Sequence, residues 1–393
     1  MGIYVIDPNE NTRVPFLRGI LTRSLRSAGL SFNEAYRLAN KVRDKLGSNA
    51  KISTDDLTEL VIKYLDKGGY TEALERYQRP SQAIVPINVI DRQGQASPFS
   101  KGHLSQSLEI CAFPKDECYS ITADIEQQLV ISGITEITSS DLARFTYRHL
   151  CEHAPPEIAQ RYLVWVEFSR SGKPLILLIG GAPGVGKSTI GSEIAHRLNI
   201  VRTQSTDMLR EVMRLMVPKR LLPALHVSSF SAWKTLPSRN ARSVSFDTHF
   251  VDGYLTQARE VSVGIEGVLK RAEREQVSII MEGVHIYPML QKRLARKTDA
   301  IVIPLIVGVL KRKQLRKQLQ GRGQQVTSRR SERYLESFDA IWELQSYLLT
   351  EADRHQITIV PNVDELESIR LVMETISEHL ATVYEGTPEE VFA

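Results

Sequence analysis

A glycine-rich segment in the middle of the chain constrains the fold more than any other feature. Residues Gly181–Ser188 read GAPGVGKS and match the pattern G-x-x-x-x-G-K-[ST] at every required position. The apolar run PLILLIG precedes the segment, and the helical pattern STIGSEIAHRL follows the lysine. A strand, a loop and a helix in this order let backbone N–H groups and a helix N-terminus converge on phosphate oxygens. The sequence therefore predicts a phosphate-binding loop.

The motif assigns an expected role to individual loop residues. Lys187 is expected to reach the β- and γ-phosphates of a nucleotide, and Ser188 is expected to bind Mg²⁺. The motif by itself fits ATP or GTP, and it does not indicate which molecule receives the phosphoryl group. The predicted nucleotide-binding residues are Gly181, Ala182, Pro183, Gly184, Val185, Gly186, Lys187, Ser188 and Thr189.

Strand-like and helix-like patterns alternate from this loop to near the end of the chain. Such alternation is typical of an α/β fold, in which a parallel sheet carries helices on both faces. We predict a five-stranded parallel sheet whose functional residues lie beyond the carboxyl ends of the strands. The predicted strands are Leu175–Ile179, Ile200–Thr203, Val277–Met281, Ile301–Val307 and Ile357–Val360.

Several polar residues follow two of these predicted strands. Glu282 ends a buried run and is a candidate to bind Mg²⁺ or its water, although an ordinary strand-end carboxylate is the alternative. Asp207 and Arg210 lie on one face of a starting helix, where they could accept a hydroxyl proton and bind an anion. The alternative is a helix-capping Asp207 beside a surface arginine. His285, three residues after Glu282, is interpreted as structural.

A polar and aromatic stretch, LHVSSFSAW, occupies residues Leu225–Trp233 and contains His226, Ser228 and Ser229. An imidazole and two hydroxyl groups suit the recognition of a carboxylate or a phosphate. The stretch alone is equally compatible with an ordinary loop.

A basic cluster extends over Lys311–Tyr334, with nine lysines and arginines and one acidic residue. Nucleic-acid binding is one interpretation of such a cluster. Aromatic residues are sparse there, however, and the cluster follows the fourth predicted strand, where P-loop kinases have a mobile lid with phosphate-binding arginines. A solvated helix face is the interpretation for Lys311–Lys317. The residues predicted to belong to a lid are Arg322, Arg329, Arg330 and Arg333.

The first part of the chain contains an internal repeat. Three pairs of matching positions lie 83 or 84 residues apart, namely Asp7 and Asp91, Phe16 and Phe99, and Leu25 and Leu108. Each copy combines a short strand pattern, a turn leading to Pro-Phe, and amphipathic helices. We predict two small, mainly helical modules ahead of the α/β domain. The predicted boundaries are 1–68 and 87–153 for the modules, 69–86 for a linker, 154–384 for the α/β domain and 385–393 for a frayed tail.

Composition adds only weak constraints. The formal net charge of +4 does not by itself require nucleic acid or a membrane as partner. The longest strongly apolar run, Ala300–Leu310, is too short to span a bilayer. The three cysteines form no CxxC pair and the N-terminus has no signal-peptide pattern, so we expect a cytoplasmic protein with reduced thiols.

Each repeat copy resembles the ATP-cone, a small nucleotide-sensing module that precedes enzyme domains such as those of ribonucleotide reductases. The resemblance lies in the leading strand, in Val14–Phe16, and in the helices RSLRSAG and ISTDDLTELV. Such modules usually carry a basic turn after the first strand, where a side chain can meet phosphate. The turns here are Asp7–Glu10 and Asp91–Gly94, and only the second keeps an arginine. The resemblance implies the shape of the module, whereas nucleotide binding by either copy stays open.

The chain from about Pro174 to about Asn362 resembles the 2-phosphoglycerate kinase family of P-loop kinases. The matching stretches are GGAPGVGKSTI, STDMLREVMR, LHVSSFSAW, DGYLTQAREVSVGIEGVLKRA, SIIMEGVHIYP and RRSERYLESFDAIWELQSYL. The resemblance implies transfer of the ATP γ-phosphoryl group to the 3-hydroxyl of 2-phosphoglycerate, which gives 2,3-bisphosphoglycerate. Because that substrate carries a phosphate and a carboxylate, basic partners and Mg²⁺ are expected beside ATP.

The resemblance also implies roles for the candidate residues. The expected catalytic residues are Lys187, Asp207, Arg330 and Arg333. The expected substrate-binding residues are Arg210, His226, Ser228, Ser229 and Arg329. The expected Mg²⁺ ligands are Ser188, Glu282 and Asp207.

Other functions are compatible with the same patterns. The chain could be a P-loop kinase for another small phosphorylated or carboxylic acid. It could also be a nucleotide-responsive regulator without turnover, whose tandem modules serve as effector or homo-oligomer surfaces. RNA binding through the basic cluster predicts an affinity that falls steeply with salt. We expect ATP and a small anionic acid as partners, and neither a membrane nor a nucleic acid.

Overall fold

A computed structural model of the chain describes residues 3–7, 12–47, 51–78, 87–237, 246–296, 298–325 and 329–392. The chain divides into two units, Met1–Pro86 and Ile87–Ala393. No helix within the described residues is long and apolar enough to cross a membrane.

The first unit combines a three-stranded sheet with short helices. Its strands are β1 (Tyr4–Asp7), β2 (Thr12–Pro15) and β3 (Lys51–Ser53). The strand order is β2-β1-β3, with β2 antiparallel and β3 parallel to β1. Its helices are α1 (Arg18–Ser27), α2 (Phe32–Leu46), α3 (Thr54–Lys67) and α4 (Thr71–Gln78).

The second unit begins with the same arrangement. Its first elements are β4 (Asn88–Ile90), β5 (Ala96–Pro98), α5 (Lys101–Glu109), α6 (Lys115–Ile131), β6 (Glu136–Thr138) and α7 (Ser139–His153). The strand order is β5-β4-β6, again with one antiparallel and one parallel pair. Even the helix caps correspond, because the hydroxyls of Ser53 and Thr138 each accept a 3.0 Å hydrogen bond from the backbone N–H three residues later.

The remainder of the second unit alternates strands and helices. Its first elements are α8 (Pro156–Ser171), β7 (Leu175–Gly180), α9 (Lys187–Arg197), β8 (Arg202–Ser205), α10 (Thr206–Met216) and α11 (Phe246–Arg274). Next come β9 (Ile279–Gly283), α12 (Pro288–Ala295), β10 (Ile301–Gly308), α13 (Arg312–Gln325) and α14 (Arg329–Glu336). The last are α15 (Phe338–Arg354), β11 (Thr358–Pro361), α16 (Glu365–Ala381) and α17 (Pro388–Val391). Two 3₁₀ turns, Pro223–His226 and Ser229–Thr235, lie between α10 and α11.

These strands form the predicted five-stranded parallel sheet, in the order β11-β10-β7-β9-β8. Alternate residues of β7 pack on opposite faces, as the two-residue period of a strand requires. Leu177 and Ile179 join one core with α9 and α16, whereas Ile176 and Leu178 join the other with α11 and α12. Both faces of the sheet are therefore covered by helices, and the predicted α/β class is confirmed.

Three strands begin one or two residues later than predicted, for one shared reason. Ile200, Val277 and Ile357 are apolar and were expected to open strands, yet each ends a helix instead. Their backbone N–H groups bond to carbonyls five residues back, at 2.8 to 3.0 Å. The residue before each has a positive φ, between 51° and 56°. This geometry is the Schellman ending of a helix, whose final apolar residue packs back on the helix.

The predicted division between residues 153 and 154 is not a boundary of the fold. Helix α8 begins there, and Ile158 and Tyr162 on it are buried in the core of α5, α6 and α7. The same helix also contacts the half of this unit that contains the five-stranded sheet, since Trp165 donates a 3.0 Å hydrogen bond to Ser377 of α16. Helix α8 therefore belongs to both halves of the second unit.

Two further predictions about the chain segments are wrong. Part of the predicted linker is α4, whose Ala73 is buried in the core of the first unit, while residues 79–86 lie outside the described residues. The predicted frayed tail includes α17, which begins with a capping box between Thr387 and Glu390. Phe392 is 2% exposed and its ring lies against Tyr147, so apolar burial orders the tail.

Candidate active site

The glycine loop, residues Gly181–Gly186, connects the end of β7 to the start of α9. Gly186 stands at the helix N-cap with a φ of +94°, a conformation that favours glycine. A Cβ at this position would lie 2.2 Å from the amide nitrogen of Asn362. The loop can therefore approach the end of β11 only because this residue has no side chain.

Asn362 holds the loop from the end of β11, and sequence reasoning did not identify it. Its Nδ2 donates a 2.8 Å hydrogen bond to the carbonyl of Val185, and its own N–H donates to the carbonyl of Gly308. Ser368 in turn donates to its Oδ1 over 3.2 Å. A polar residue directly after the strand TIVP was the available signal, because residues that follow parallel strands meet at one edge of the sheet.

Two predicted nucleotide-binding side chains lie at the start of α9. Lys187 is 6% exposed, and its Nζ donates a 2.8 Å hydrogen bond to the carbonyl of Ala182 within the loop. Ser188 is exposed and donates a 3.1 Å hydrogen bond to Glu282 at the end of β9. The parallel register of β7 and β9 explains this pair, because it aligns Gly180 with Gly283.

The Ser188–Glu282 pair has the chemistry of a magnesium site. Both groups present oxygen, the donor that Mg²⁺ prefers, and Mg²⁺ in phosphotransferases usually has only one or two protein ligands besides water and phosphates. The described residues contain no cluster of three His, Cys, Asp or Glu side chains able to hold a metal. The donor set therefore fits a Mg²⁺ that shares its ligands with a nucleotide, and it does not fit an all-protein metal cage.

A cavity of about 520 Å³ opens beside the glycine loop. It brings together six predicted site residues and four others. The predicted residues that line it are Pro183, Asp207, Arg210, Ser228, Ser229 and Arg333. The other lining residues are Glu211, Phe230, Val284 and Tyr334. The contribution of Pro183 makes the glycine loop one wall of the cavity.

Arg210 is anchored at one side of this cavity. Its Nη1 donates to the carbonyls of Leu225 and Val227, at 2.8 and 3.3 Å. Its Nη2 lies 2.8 Å from Glu211, and its Nε lies 3.9 Å from Asp207. The guanidinium is therefore held in one orientation next to the more exposed carboxylate of Asp207, whose side chain is 66% exposed.

Arg333 brings the basic cluster to the same cavity. Its Nη2 donates a 2.6 Å hydrogen bond to Ser228. The ring of the neighbouring Tyr334 lies 5.9 Å from that of Phe230, in a tilted arrangement. Helix α14 therefore contacts the segment after the first 3₁₀ turn by one polar and one aromatic pair.

The chain is similar to several curated archaeal kinases. The 2-phosphoglycerate kinase of Pyrococcus horikoshii is 34% identical over 304 residues, which cover 76% of this chain and 97% of that protein. The 2-phosphoglycerate kinases of Methanocaldococcus jannaschii and Methanopyrus kandleri are each 35% identical, over 75% and 72% of this chain and 93% and 85% of theirs. The chain belongs to the 2-phosphoglycerate kinase family. Membership of that family makes it an ATP-dependent phosphotransferase.

A family model for the ATP cone domain matches residues 87–171 of this 2-phosphoglycerate kinase family member. The match covers β4 to α7 and continues through α8, in agreement with the shared core of that helix. Resemblance of this segment to an ATP-cone is thus confirmed, with a later end than residue 153.

One predicted substrate-binding residue of this family member is engaged elsewhere. The Nε2 of His226 lies 2.9 Å from the carbonyl of Val217, and the imidazole does not line the cavity described above. His226 therefore caps the end of α10, and we leave it out of the proposed site. The side chains of Arg322, Arg329 and Arg330 lie outside the described residues.

The first part of the basic cluster packs against aromatic residues. The guanidinium carbons of Arg312 and Arg316 lie 5.1 and 4.8 Å from the ring centre of Phe338, and Arg312 also pairs with Asp339. Cation–π packing of this kind orders α13 against α15. Both arginines are nevertheless exposed, as are Lys311, Lys313 and Lys317, in agreement with the predicted solvated helix face.

Proposed function

We propose that the chain transfers the γ-phosphoryl group of ATP to the 3-hydroxyl of 2-phosphoglycerate, with ADP and 2,3-bisphosphoglycerate as products. The observation that carries the proposal is the cavity beside the glycine loop, where Asp207, Arg210 and Arg333 meet. Its volume of about 520 Å³ suffices for 2-phosphoglycerate, a three-carbon acid with one phosphate group. The names of the archaeal relatives support the same acceptor.

The glycine loop is proposed to act as a P-loop for ATP. In this hypothesis the loop amides and the N-terminus of α9 bind the β- and γ-phosphates, because unpaired N–H groups and the helix dipole favour anions. The ammonium of Lys187, now bonded to the loop carbonyl of Ala182, turns to the same phosphates. Asn362 keeps Val185 in place while these contacts form.

Ser188 and Glu282 are proposed to hold Mg²⁺ with the nucleotide phosphates, and Asp207 is a further candidate ligand. The bound Mg²⁺ would neutralise part of the negative charge on the phosphates. Glu282 would supply a charged carboxylate oxygen to the ion, and Ser188 would supply a neutral hydroxyl oxygen. The two side chains already lie 3.1 Å apart.

The acceptor is proposed to bind on the cavity side of the loop. Arg210 and Arg333 match its phosphate and carboxylate, because a guanidinium can donate two parallel hydrogen bonds to either group. Ser228 and Ser229 can donate to the remaining oxygens. The carboxylate of Asp207 accepts the 3-hydroxyl proton as that oxygen bonds to the γ-phosphorus and the bond to ADP breaks.

Residues 1–86 are proposed to be a second copy of the ATP-cone module. The first unit repeats the strand order and helix caps of residues 88–153, including the antiparallel and parallel pairs. The relatives also leave about a quarter of this chain unmatched while matching nearly all of their own length. About 89 residues (393 − 304) are left unmatched, which is the length of one module, so the first copy alone is proposed to be an addition to the kinase, with the boundary near residue 86.

The decisive experiment offers the full-length protein ATP, Mg²⁺ and a panel of plain and phosphorylated three-carbon acids. We expect turnover with 2-phosphoglycerate and detection of 2,3-bisphosphoglycerate by ³¹P NMR. Asp207→Asn should lower kcat by about 10² to 10⁴, the usual contribution of a positioned base. The matched control is Asp353→Asn, at an exposed position on α15.

The panel also separates the alternatives. Turnover of a different acid retains the kinase and rejects 2-phosphoglycerate as substrate. Tight ATP binding without turnover of any acid would favour the nucleotide-responsive regulator. Full activity of Lys187→Ala would show that the glycine loop is not the ATP site.

A further inference from the structure

A chain of hydrogen bonds joins three buried side chains that stand next to the cavity-lining residues. The hydroxyl of Thr206 lies 3.0 Å from Nδ1 of His285, and Nε2 of His285 lies 3.1 Å from Oε1 of Gln257. All three residues have no exposed surface. Buried polar groups are costly unless they are paired, so a fully connected chain at this depth implies a specific role.

The two backbone carbonyls that Gln257 contacts determine the direction of every hydrogen bond in this chain. Gln257 donates from Nε2 to the carbonyls of Ala224 and Val227, which can only accept. Its Oε1 is therefore the acceptor for His285, whose proton must be on Nε2. Nδ1 then accepts from the hydroxyl of Thr206. A neutral imidazole satisfies the whole chain, and burial keeps it neutral by lowering the pKa of His285 to about 4.

Each end of this hydrogen-bond chain lies next to residues of the proposed acceptor site. Thr206 opens α10 and directly precedes Asp207. At the other end, the carbonyl of Val227 accepts hydrogen bonds from both Gln257 and Arg210. The residue after Val227 is Ser228, which lines the cavity and bonds to Arg333. The network thus connects the base, one arginine and the serine segment.

The backbone beside His285 is also fitted closely to this network. Gly283 has a φ of +153°, and a Cβ there would lie 1.8 Å from the hydroxyl oxygen of Thr206. Tyr254, one turn before Gln257 on α11, donates a 2.7 Å hydrogen bond to the carbonyl of Val284. Helix α11 therefore fixes both the imidazole and the segment that carries it.

We infer that Gln257 and His285 are positioning residues for the acceptor site. They touch neither acceptor nor nucleotide, and they act by fixing the separation between the start of α10 and the turn at residues 224–228. Loss of the network would let Asp207, Arg210 and Ser228 drift, and a displacement of about 1 Å can lower catalysis 100-fold. The inference rests on the proposed function for its choice of acceptor.

The test compares two buried glutamines in the full-length protein. Gln257→Met breaks the network. Gln291→Met is the matched control, because Gln291 is equally buried and also donates to two backbone carbonyls, those of Leu178 and Leu305. We expect the KM for 2-phosphoglycerate to rise about tenfold in Gln257→Met, with the KM for ATP within about twofold. Gln291→Met should lose comparable thermal stability with both KM values nearly unchanged.

A second variant tests whether the residues act as one unit. His285→Asn retains an acceptor at the place of Nδ1 and removes the donor to Gln257. Because both substitutions break the same chain, the double variant with Gln257→Met should lose about as much kcat/KM as the worse single variant. Independent sites would instead give a multiplicative loss, as we expect for Gln257→Met combined with Gln291→Met.

Amide hydrogen exchange supplies a readout that needs no acceptor. Residues 224–229 should exchange faster in Gln257→Met and in His285→Asn, and at the wild-type rate in Gln291→Met. If the wild type phosphorylates none of the acids, the proposed function fails while this exchange still decides the positioning role. Unchanged exchange at 224–229 together with an unchanged acceptor KM would overturn the inference.

Discussion

Arg333 donates a 2.6 Å hydrogen bond to the hydroxyl of Ser228, across 105 residues of sequence. The bond joins the basic helix α14 to the segment that Gln257 and Arg210 hold from the other side. Both partners also line the cavity beside the glycine loop. A guanidinium that already reaches across this cavity is placed to meet an anion bound inside it.

We therefore predict that Arg333→Ala lowers kcat by about 10²-fold or more, because an arginine that closes over a transferring phosphoryl group contributes up to 10³ to 10⁵ in related reactions. Arg333→Lys should recover little, since a lysine cannot donate the paired hydrogen bonds of a guanidinium. Steady-state kinetics with ATP and 2-phosphoglycerate measures both effects.

The control for this prediction is Arg293→Ala, which removes a partly exposed arginine paired with Glu266 outside the cavity. It should leave kcat within about twofold of the wild type, because surface ion pairs contribute little. Equal losses in the Arg333 and Arg293 variants would remove Arg333 from the site.

Glycine at position 186 is expected to be indispensable for a steric reason. In Gly186→Ala the new methyl group would stand 2.2 Å from the amide of Asn362, and the φ of +94° disfavours any side chain. We predict loss of ATP binding by calorimetry together with loss of turnover. The matched control is Gly267→Ala on α11, where nothing lies within 4 Å of the added carbon. That variant should keep its activity and gain up to about 1 kcal/mol of stability.

Local sequence patterns predicted the sheet and the glycine loop because both depend on short-range rules. Buried strands have apolar runs, and the loop requires glycines and a lysine at fixed spacing. The strand starts were misplaced because Ile200 and Val277 are apolar residues that end helices, and a Schellman ending cannot be distinguished from a strand by hydrophobicity alone.

The candidate site could be predicted only where a residue has a characteristic neighbourhood in sequence. Asp207 and Arg210 were found because they share a helix face directly after a strand. Asn362 and Gln257 were missed because their partners lie far away in the chain, at Val185 and at residues 224–227. His226 has a suggestive local sequence, yet its imidazole pairs with a helix end.

The extent of the catalytic unit predicts how the chain tolerates truncation. A protein that begins at Ile87 retains the whole second unit, so we expect folding and kinase activity within about twofold of the full chain. A protein that begins at Ala154 keeps α8 but loses its partners, which exposes the buried Ile158 and Tyr162. Burial of each such side chain contributes about 1.5 to 3 kcal/mol, so this shorter protein should be clearly destabilised.

Thermal unfolding and activity of the two truncated proteins check this prediction. A shorter protein as stable as the longer one would mean that α8 needs no support from residues 87–153. An inactive protein beginning at Ile87 would mean that the first unit is required for catalysis, and the proposal of an accessory tandem module would then fail.

The buried imidazole of His285 predicts a pH dependence of stability. Its pKa is lowered from 6.5 to about 4 in the folded protein, mainly by burial. Between these values the unfolded chain binds a proton that the folded chain does not, so the free energy of unfolding falls as the pH drops from about 6.5 to about 4. The loss attributable to this group is at most about 3 kcal/mol, and it is absent above about pH 7.5.

Urea unfolding at a series of pH values, with His285→Asn beside the wild type, isolates the contribution. The slope of stability against pH should be shallower in that variant. The control is His103→Asn, which replaces an exposed histidine of α5. It should keep the wild-type slope, because the buried imidazole of His285 is still present. Parallel slopes in the His285→Asn variant and the wild type would show that the imidazole is not held neutral by burial.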